Sequence, residues 1–180
     1  KRAPAFYPSE AGLAYVALAR RDHKGALERF DRVLQKSGQY APALVGKGQV
    51  LLALKREGEA LASFEAAVAA DPSLTEVKQR IEVLAFRRVQ DDLTRARRAA
   101  EAGRLEEARD GYQRAIAGSP ESAFLYRDLG AVERRLGDTD SALARFRKAV
   151  ELDPTDGRSL VQIGEILEER ADFEGSIAAY

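Results

Sequence analysis

The chain contains no cysteine, no methionine and no tryptophan, and its only histidine is His23. Without cysteine, disulfides, thiolate metal sites and cysteine nucleophiles are all excluded. One histidine removes most histidine-based metal binding and acid–base chemistry. An excess of charge is absent too, since 29 Lys+Arg stand against 29 Asp+Glu. A general electrostatic grip on DNA, RNA or an anionic membrane needs a strongly basic face, so none is expected. Long apolar runs are also missing. The run Val50-Leu51-Leu52-Ala53-Leu54 stops at Lys55, and no stretch approaches the roughly 20 apolar residues that a spanning helix requires. Prolines are few and alanine is abundant, which favours helix throughout. With 180 residues there is room for one ordinary domain or a short repeat array. The chain opens at Lys1 with no signal-peptide pattern, and it is expected to be part of something longer. The composition leaves the compartment open, cytoplasm and periplasm alike.

What the chain does have is an internal repeat. Three segments end on proline: Ala69-Ala70-Asp71-Pro72, Ala117-Gly118-Ser119-Pro120 and Glu151-Leu152-Asp153-Pro154. The last two prolines are 34 residues apart. Twelve residues before each proline is an alanine (Ala60, Ala108, Ala142), and eight before is an aromatic (Phe64, Tyr112, Phe146). Five before is a further alanine (Ala67, Ala115, Ala149). An upstream copy has Ala26, Phe30 and Val33, with Gly38 where proline would stand. A last copy has Gly164, Ser176 and Tyr180.

This register resembles the tetratricopeptide repeat (TPR) family, whose signature runs W-x₂-L-G-x₂-Y…A-x₃-F…P. The fourth unit carries Tyr126, Leu129, Gly130, Gly137, Ala142, Phe146, Ala149 and Pro154, and the second carries Leu44, Gly48, Leu51, Ala60, Phe64, Ala67 and Pro72. The signature tryptophan is missing from every unit. The resemblance covers nearly the whole chain and implies an all-α solenoid of helical hairpins wound into a right-handed superhelix. Each hairpin is two antiparallel helices that approach closely at small residues, with Gly48 or Gly130 expected to face Ala60 or Ala142 and the aromatic filling the gap beside them. Proline ends the second helix by pushing the preceding residue out of the helical region. Helices are expected at roughly 9–21, 24–36, 41–54, 57–70, 105–117, 121–136, 139–151 and 157–170, and from 173 onward. The organisation expected is units 1 and 2 over 7–72, a spacer over 73–102, and the rest of unit 3, unit 4 and an incomplete unit 5 over 103–180.

Between Pro72 and Pro120 the period is broken by 14 extra residues. No Gly or Pro lies between Ser73 and Ala102, so one extended helix is expected over about 74–102, roughly 40 Å long at 1.5 Å per residue. Its apolar stripe changes side, from Val77, Ile81 and Leu84 to Phe86, Val89, Leu93, Ala96 and Ala100. The first half is expected to cover the second repeat and the second half to open the third. Asp92 and Arg95 stand where the family has large apolar residues. Phe86, Val89 and Leu93 are the candidate strip for self-association.

Catalytic patterns are wanting. Gly46-Lys47-Gly48 lacks phosphate-loop spacing and sits within an expected helix, and no G-x-S-x-G elbow occurs. Glu106-Glu107 and Glu168-Glu169 point about 100° apart on a helix, as solvated pairs do. His23 is expected in the turn between the first two helices without a companion ligand. No catalytic residue, metal or cofactor is assigned. The arginines between Arg87 and Arg104 read mainly as a solvated face, with contact to an acidic protein as the lesser alternative, and neither they nor any aromatic platform mark a nucleic-acid binder.

The family resemblance implies that the first helix of each pair lines a concave surface where partner peptides lie. Carried over by position, that surface includes Tyr15 and Leu18, then Gln49 and Leu52, then Arg97. It continues through Phe124, Arg127, Arg134 and Arg135 to Val161, Glu165, Glu168 and Glu169, running from apolar through basic to acidic. The Lys and Asn clamp of heat-shock co-chaperones is missing, with Ala11, Tyr15, Val45 and Gln49 in its place. A non-catalytic scaffold binding a protein or peptide partner is therefore expected, with no membrane span and no nucleic acid. The alternatives are a self-assembling homo-oligomer, joined through the long helix or an apolar C-terminal edge of Ile163, Leu167 and Ile177, and the targeting arm of a larger enzyme.

Overall fold

The computed structural model describes residues 6–179, which form ten helices and no strand. These are α1 (Phe6–Ala19), α2 (His23–Lys36), α3 (Ala41–Ala53), α4 (Glu57–Ala70), α5 (Thr75–Glu101), α6 (Leu105–Gly118), α7 (Ala123–Arg135), α8 (Thr139–Leu152), α9 (Gly157–Glu169) and α10 (Phe173–Ala179). The extended helix expected from the break in the period is α5. His23 is not in a turn but is the first residue of α2, following the cap residue Asp22. The chain divides into two compact units, Lys1–Ala85 and Phe86–Tyr180.

The turns inside the hairpins share one construction. Arg21, Lys55, Gly103, Gly137 and Ala171 all have positive φ, from 58° to 83°. At the first of them the Arg21 N–H donates to the Leu18 carbonyl (2.9 Å) and the Asp22 N–H to the Ala17 carbonyl (3.0 Å), and the same two bonds close the other four turns. They satisfy carbonyls that the end of a helix otherwise leaves open. The next residue enters the second helix. Asp22, Asp138 and Asp172 accept the N–H of Gly25, Ser141 and Gly175 at 2.9, 3.1 and 3.0 Å. Arg56 and Arg104 stand at the same place in the other two turns and pair instead with Glu59 and Glu107.

Packing centres on the aromatic of each second helix. Phe30, Phe64 and Phe146 are fully buried, and Tyr112 nearly so. A Cβ added at Gly48 would lie 2.5 Å from the Phe64 ring, and one at Gly130 would lie 3.0 Å from the Phe146 ring. The glycines therefore make room for the ring itself, which corrects the expected Gly–Ala facing. Gly46 does the same for Phe30, and the Tyr15 ring meets Phe30 edge-on at 5.0 Å.

Helix α5 serves both units through different faces. Val77 and Leu84 join the core built around Phe64, whereas Val89, Leu93, Ala96 and Ala99 join the core around Tyr112, Leu125 and Leu129. Gly111 and Gly118 of α6 let Ala96 and Val89 approach. Val89 and Leu93 are only 9% and 5% exposed, while Phe86 is 67% exposed. The strip expected for self-association is thus not an open one, because two of its three members are used up in α5–α6 packing. Ile163 and Leu167 are likewise buried against Leu143 and Phe146, and of the expected C-terminal edge Ile177 stands out at 77%. Tyr180 lies outside the described residues.

Two stability measurements check this account. Lys55→Gly should raise the unfolding free energy by about 1 kcal/mol, since a side chain in the left-handed region costs about that much. Gly48→Ala should lower it by about 1–3 kcal/mol through overpacking on Phe64. Gly58→Ala, where an added Cβ meets nothing within 4 Å, should not lower it. Urea denaturation of the three variants decides both points.

Candidate functional site

In the second unit α5, α7 and α9, the first helices of successive hairpins, border an open groove. A cavity of about 920 Å³ lies along α7 and α9, with Phe146 at its floor and Ala131, Val161 and Arg158 among its walls. A smaller one of about 330 Å³ lies along α5 and α7, with Tyr112, Ala100 and Ala131 beside it. Each hairpin contributes its first helix because the second is occupied in packing its aromatic.

The groove's charges are largely spent on one another. Arg127 donates to Asp156 of the next hairpin (3.2 Å) and also pairs with Asp128 (3.7 Å). Arg134 reaches across to Gln162, Glu165 and Glu169 at 2.8, 2.5 and 2.6 Å. Arg97 pairs with Asp128 (3.4 Å) and lies 6.0 Å from the centre of the Phe124 ring. Arg135 donates to the Ala100 carbonyl (3.0 Å). The expected progression from a basic to an acidic surface is therefore corrected to a set of ion pairs joining neighbouring hairpins. Exposed side chains along the two cavities include Ala131, Val161, Arg158 and Glu101, whereas Phe124, 38% exposed, lines neither.

In the first unit the sequence-derived positions are part of the packing. Tyr15 is half-buried and its hydroxyl donates to the Pro42 carbonyl (2.7 Å). Leu18 and Leu52 are half-buried against the cores around Phe30 and Phe64, and Gln49 is half-buried on α3. The acidic partners Asp128 and Asp156 were not singled out by the sequence reading. Asp156 directly precedes α9, where an aspartate reads as a helix cap rather than as a partner for an arginine 29 residues earlier.

Two buried carboxylates behave in opposite ways. Burial works against ionisation of Asp156, but hydrogen bonds from the Ser159 hydroxyl (2.8 Å) and Arg127 outweigh it and hold the carboxyl below its ordinary value. For Glu133 on α7 burial dominates. It pushes the carboxyl up despite Arg145 at 3.4 Å, and its Oε2 has no hydrogen-bond partner.

This geometry, paired helices with buried aromatics and a groove lined by the first helix of each pair, defines a helical-hairpin repeat protein. Tetratricopeptide repeat models match residues 12–74 and 95–155, and the chain belongs to that family. It is 37% identical over 79 residues to the probable biofilm formation methyltransferase WspC of Pseudomonas putida, covering 44% of this chain and 19% of that protein. It is also 26% identical over 174 residues to the probable UDP-N-acetylglucosamine--peptide N-acetylglucosaminyltransferase SPINDLY of Hordeum vulgare, covering 93% of this chain and 17% of that protein. The chain thus spans under a fifth of the length of either relative. Among solved structures, MamA matches at a TM-score of 0.43 and 20% identity, covering 92% of this chain and 89% of that one.

The two carboxylates make a paired prediction. Asp156→Asn should destabilise the protein at neutral pH. A lowered carboxyl contributes stability above its unfolded value that is lost as pH falls through the folded one. Glu133→Gln should stabilise it at neutral pH. A raised carboxyl favours folding while protonated and loses that advantage as pH rises through its folded value. Both differences from wild type should vanish in acid, as followed by thermal melts across pH.

Proposed function

We propose that the chain is a protein-binding scaffold whose second-unit groove takes an extended segment of a partner protein, held mainly by apolar contacts. The observation that carries this reading is the internal neutralisation of Arg127 and Arg134 by Asp156, Glu165 and Glu169. Their pairing leaves Ala131 and Val161 as uncommitted apolar surface of an open groove. A segment with branched aliphatic or aromatic side chains fits such a surface, and its polar backbone meets the rim. Arg158, exposed at the edge of the groove, favours acidic residues beside those anchors. The segment itself is read as non-catalytic. Asp128, Asp156, Glu165 and Glu169 along its groove are each paired with an arginine of a neighbouring hairpin. No described helix is long and apolar enough to cross a membrane.

A second reading is supported by the relatives' names. Both are enzymes of which this chain matches less than a fifth. On that reading the scaffold is the arm that brings a protein substrate to a catalytic domain elsewhere in a longer polypeptide, and the groove has the same role.

Selection of a displayed peptide library on the protein tests the groove. Selected peptides should carry aromatic or branched aliphatic residues and should lose at least about tenfold in affinity for Ala131→Glu/Val161→Glu, because a buried charge in an apolar contact leaves a desolvated group without a partner. Peptides that bind this variant as well as wild type would place the site elsewhere. Arg127→Glu should instead lower the melting temperature, since it sets a second carboxylate against Asp156.

A further inference from the structure

Asp92 is anomalous among the buried residues of the second unit. One repeat later the same position is Tyr126, yet the Asp92 side chain is only 5% exposed. Burying a carboxylate requires compensation, and three arginines supply it from two helices. Arg95 lies 3.2 Å from Asp92, Arg114 of α6 lies 3.4 Å away and Arg88 lies 4.0 Å away. One carboxylate balances one guanidinium, so the cluster keeps a residual charge of two. Its arms face water, with the side chains of Arg88, Arg95 and Arg114 each about half exposed or more.

The surrounding face of α5 differs in chemistry from its counterpart one repeat later. Leu125, Leu129 and Val132 of α7 are buried against the preceding hairpin. The residues 34 positions earlier on α5 are Asp91, Arg95 and Arg98, and all three are exposed. Leu129 thus corresponds to Arg95, and Lys148, which pairs with Glu151 at 2.6 Å, corresponds to Arg114. Among the described residues no other buried carboxylate lies within 4.0 Å of three arginines. A charge-balanced solvated face would not need three arginines on one buried carboxylate.

We propose that Arg88, Arg95 and Arg114, held in place by Asp92, form a docking site for an acidic segment of a partner protein. Arg95 and Arg114 hydrogen-bond the shared carboxylate, which reduces the side-chain freedom they lose on binding, and Arg88 adds its charge beside them. Their free N–H groups offer charge-assisted bonds to carboxylates. A segment with two or more adjacent Asp or Glu residues matches the residual charge. Nucleic acid is disfavoured because the patch is small, carries no aromatic platform and belongs to a chain of zero net charge. The site is separate from the groove and stands or falls independently of it.

Fluorescence anisotropy with fluorescein-labelled octaglutamate at low ionic strength tests the proposal. Wild type should bind saturably, and Arg88→Gln/Arg95→Gln/Arg114→Gln should bind at least about tenfold more weakly, as expected when charge-assisted pairs are removed. The groove variant Ala131→Glu/Val161→Glu should bind octaglutamate as wild type does. If circular dichroism shows the triple variant unfolded, Arg95→Gln alone, which leaves two arginines on Asp92, should still weaken binding by about threefold. Failure of wild type to bind, equal binding by the arginine variants, or tighter binding of a labelled single-stranded oligonucleotide through the same arginines would overturn the assignment.

Discussion

Phe30, Phe64, Tyr112 and Phe146 each stand in the middle of a second helix, and the three phenylalanines are each wedged against a glycine of a first helix. The contact between ring and glycine sets how closely two helices approach, and removing such a ring from a core typically costs 3–5 kcal/mol. The rest of the architecture follows from it. With the rings filling the space behind them, the first helices keep one face free. In the second unit α5, α7 and α9 turn that face toward a common groove.

Helix α5 shows how a repeat array accommodates an insertion. Its first half presents Val77 and Leu84 to the first unit, and its second half presents Val89, Leu93 and Ala96 to the second. Neither half could be buried all round. On α7 the face toward the preceding hairpin is Leu125, Leu129 and Val132, but on α5 the matching face is Asp91, Arg95 and Arg98. A polar face at this point suits a helix that opens a unit, as the capping repeats of solenoids do. The buried Asp92 belongs to the same adjustment, and its three arginines make the adjustment into a charged surface.

The electrostatics of the groove are those of a joint as much as of a receptor. Arg97–Asp128, Arg127–Asp156 and Arg134 with Glu165 and Glu169 link hairpins 29 to 35 residues apart. The more exposed of these, Arg97–Asp128 and Arg134 with Glu165 and Glu169, individually contribute little to stability. Their larger effect is on recognition, because a guanidinium that already has its carboxylate has less to offer a ligand.

Much of the fold was legible in the order of residues alone. The 34-residue period, the proline ends, the aromatic eight residues before them and the unbroken stretch from Ser73 to Ala102 located the hairpins and α5. These signals are local or strictly periodic, and helix geometry converts them directly into position. The turns repeat as faithfully, even where Arg21, Lys55 and Ala171 replace glycine, because the helix-ending hydrogen bonds impose the backbone whatever the side chain. Other features depended on neighbours in space. Whether Val89 and Leu93 were open or buried turned on the rotation of α5 against α6, where Gly111 and Gly118 admit them. Whether Arg127 and Arg134 faced a ligand or a carboxylate turned on the approach of α9 to α7. Composition and spacing determined that this chain is a stack of helical hairpins. Only the tertiary structure decided which of its charges are free, since pairing requires two side chains from different hairpins to come within about 4 Å, and nothing in their separation along the chain encodes that distance.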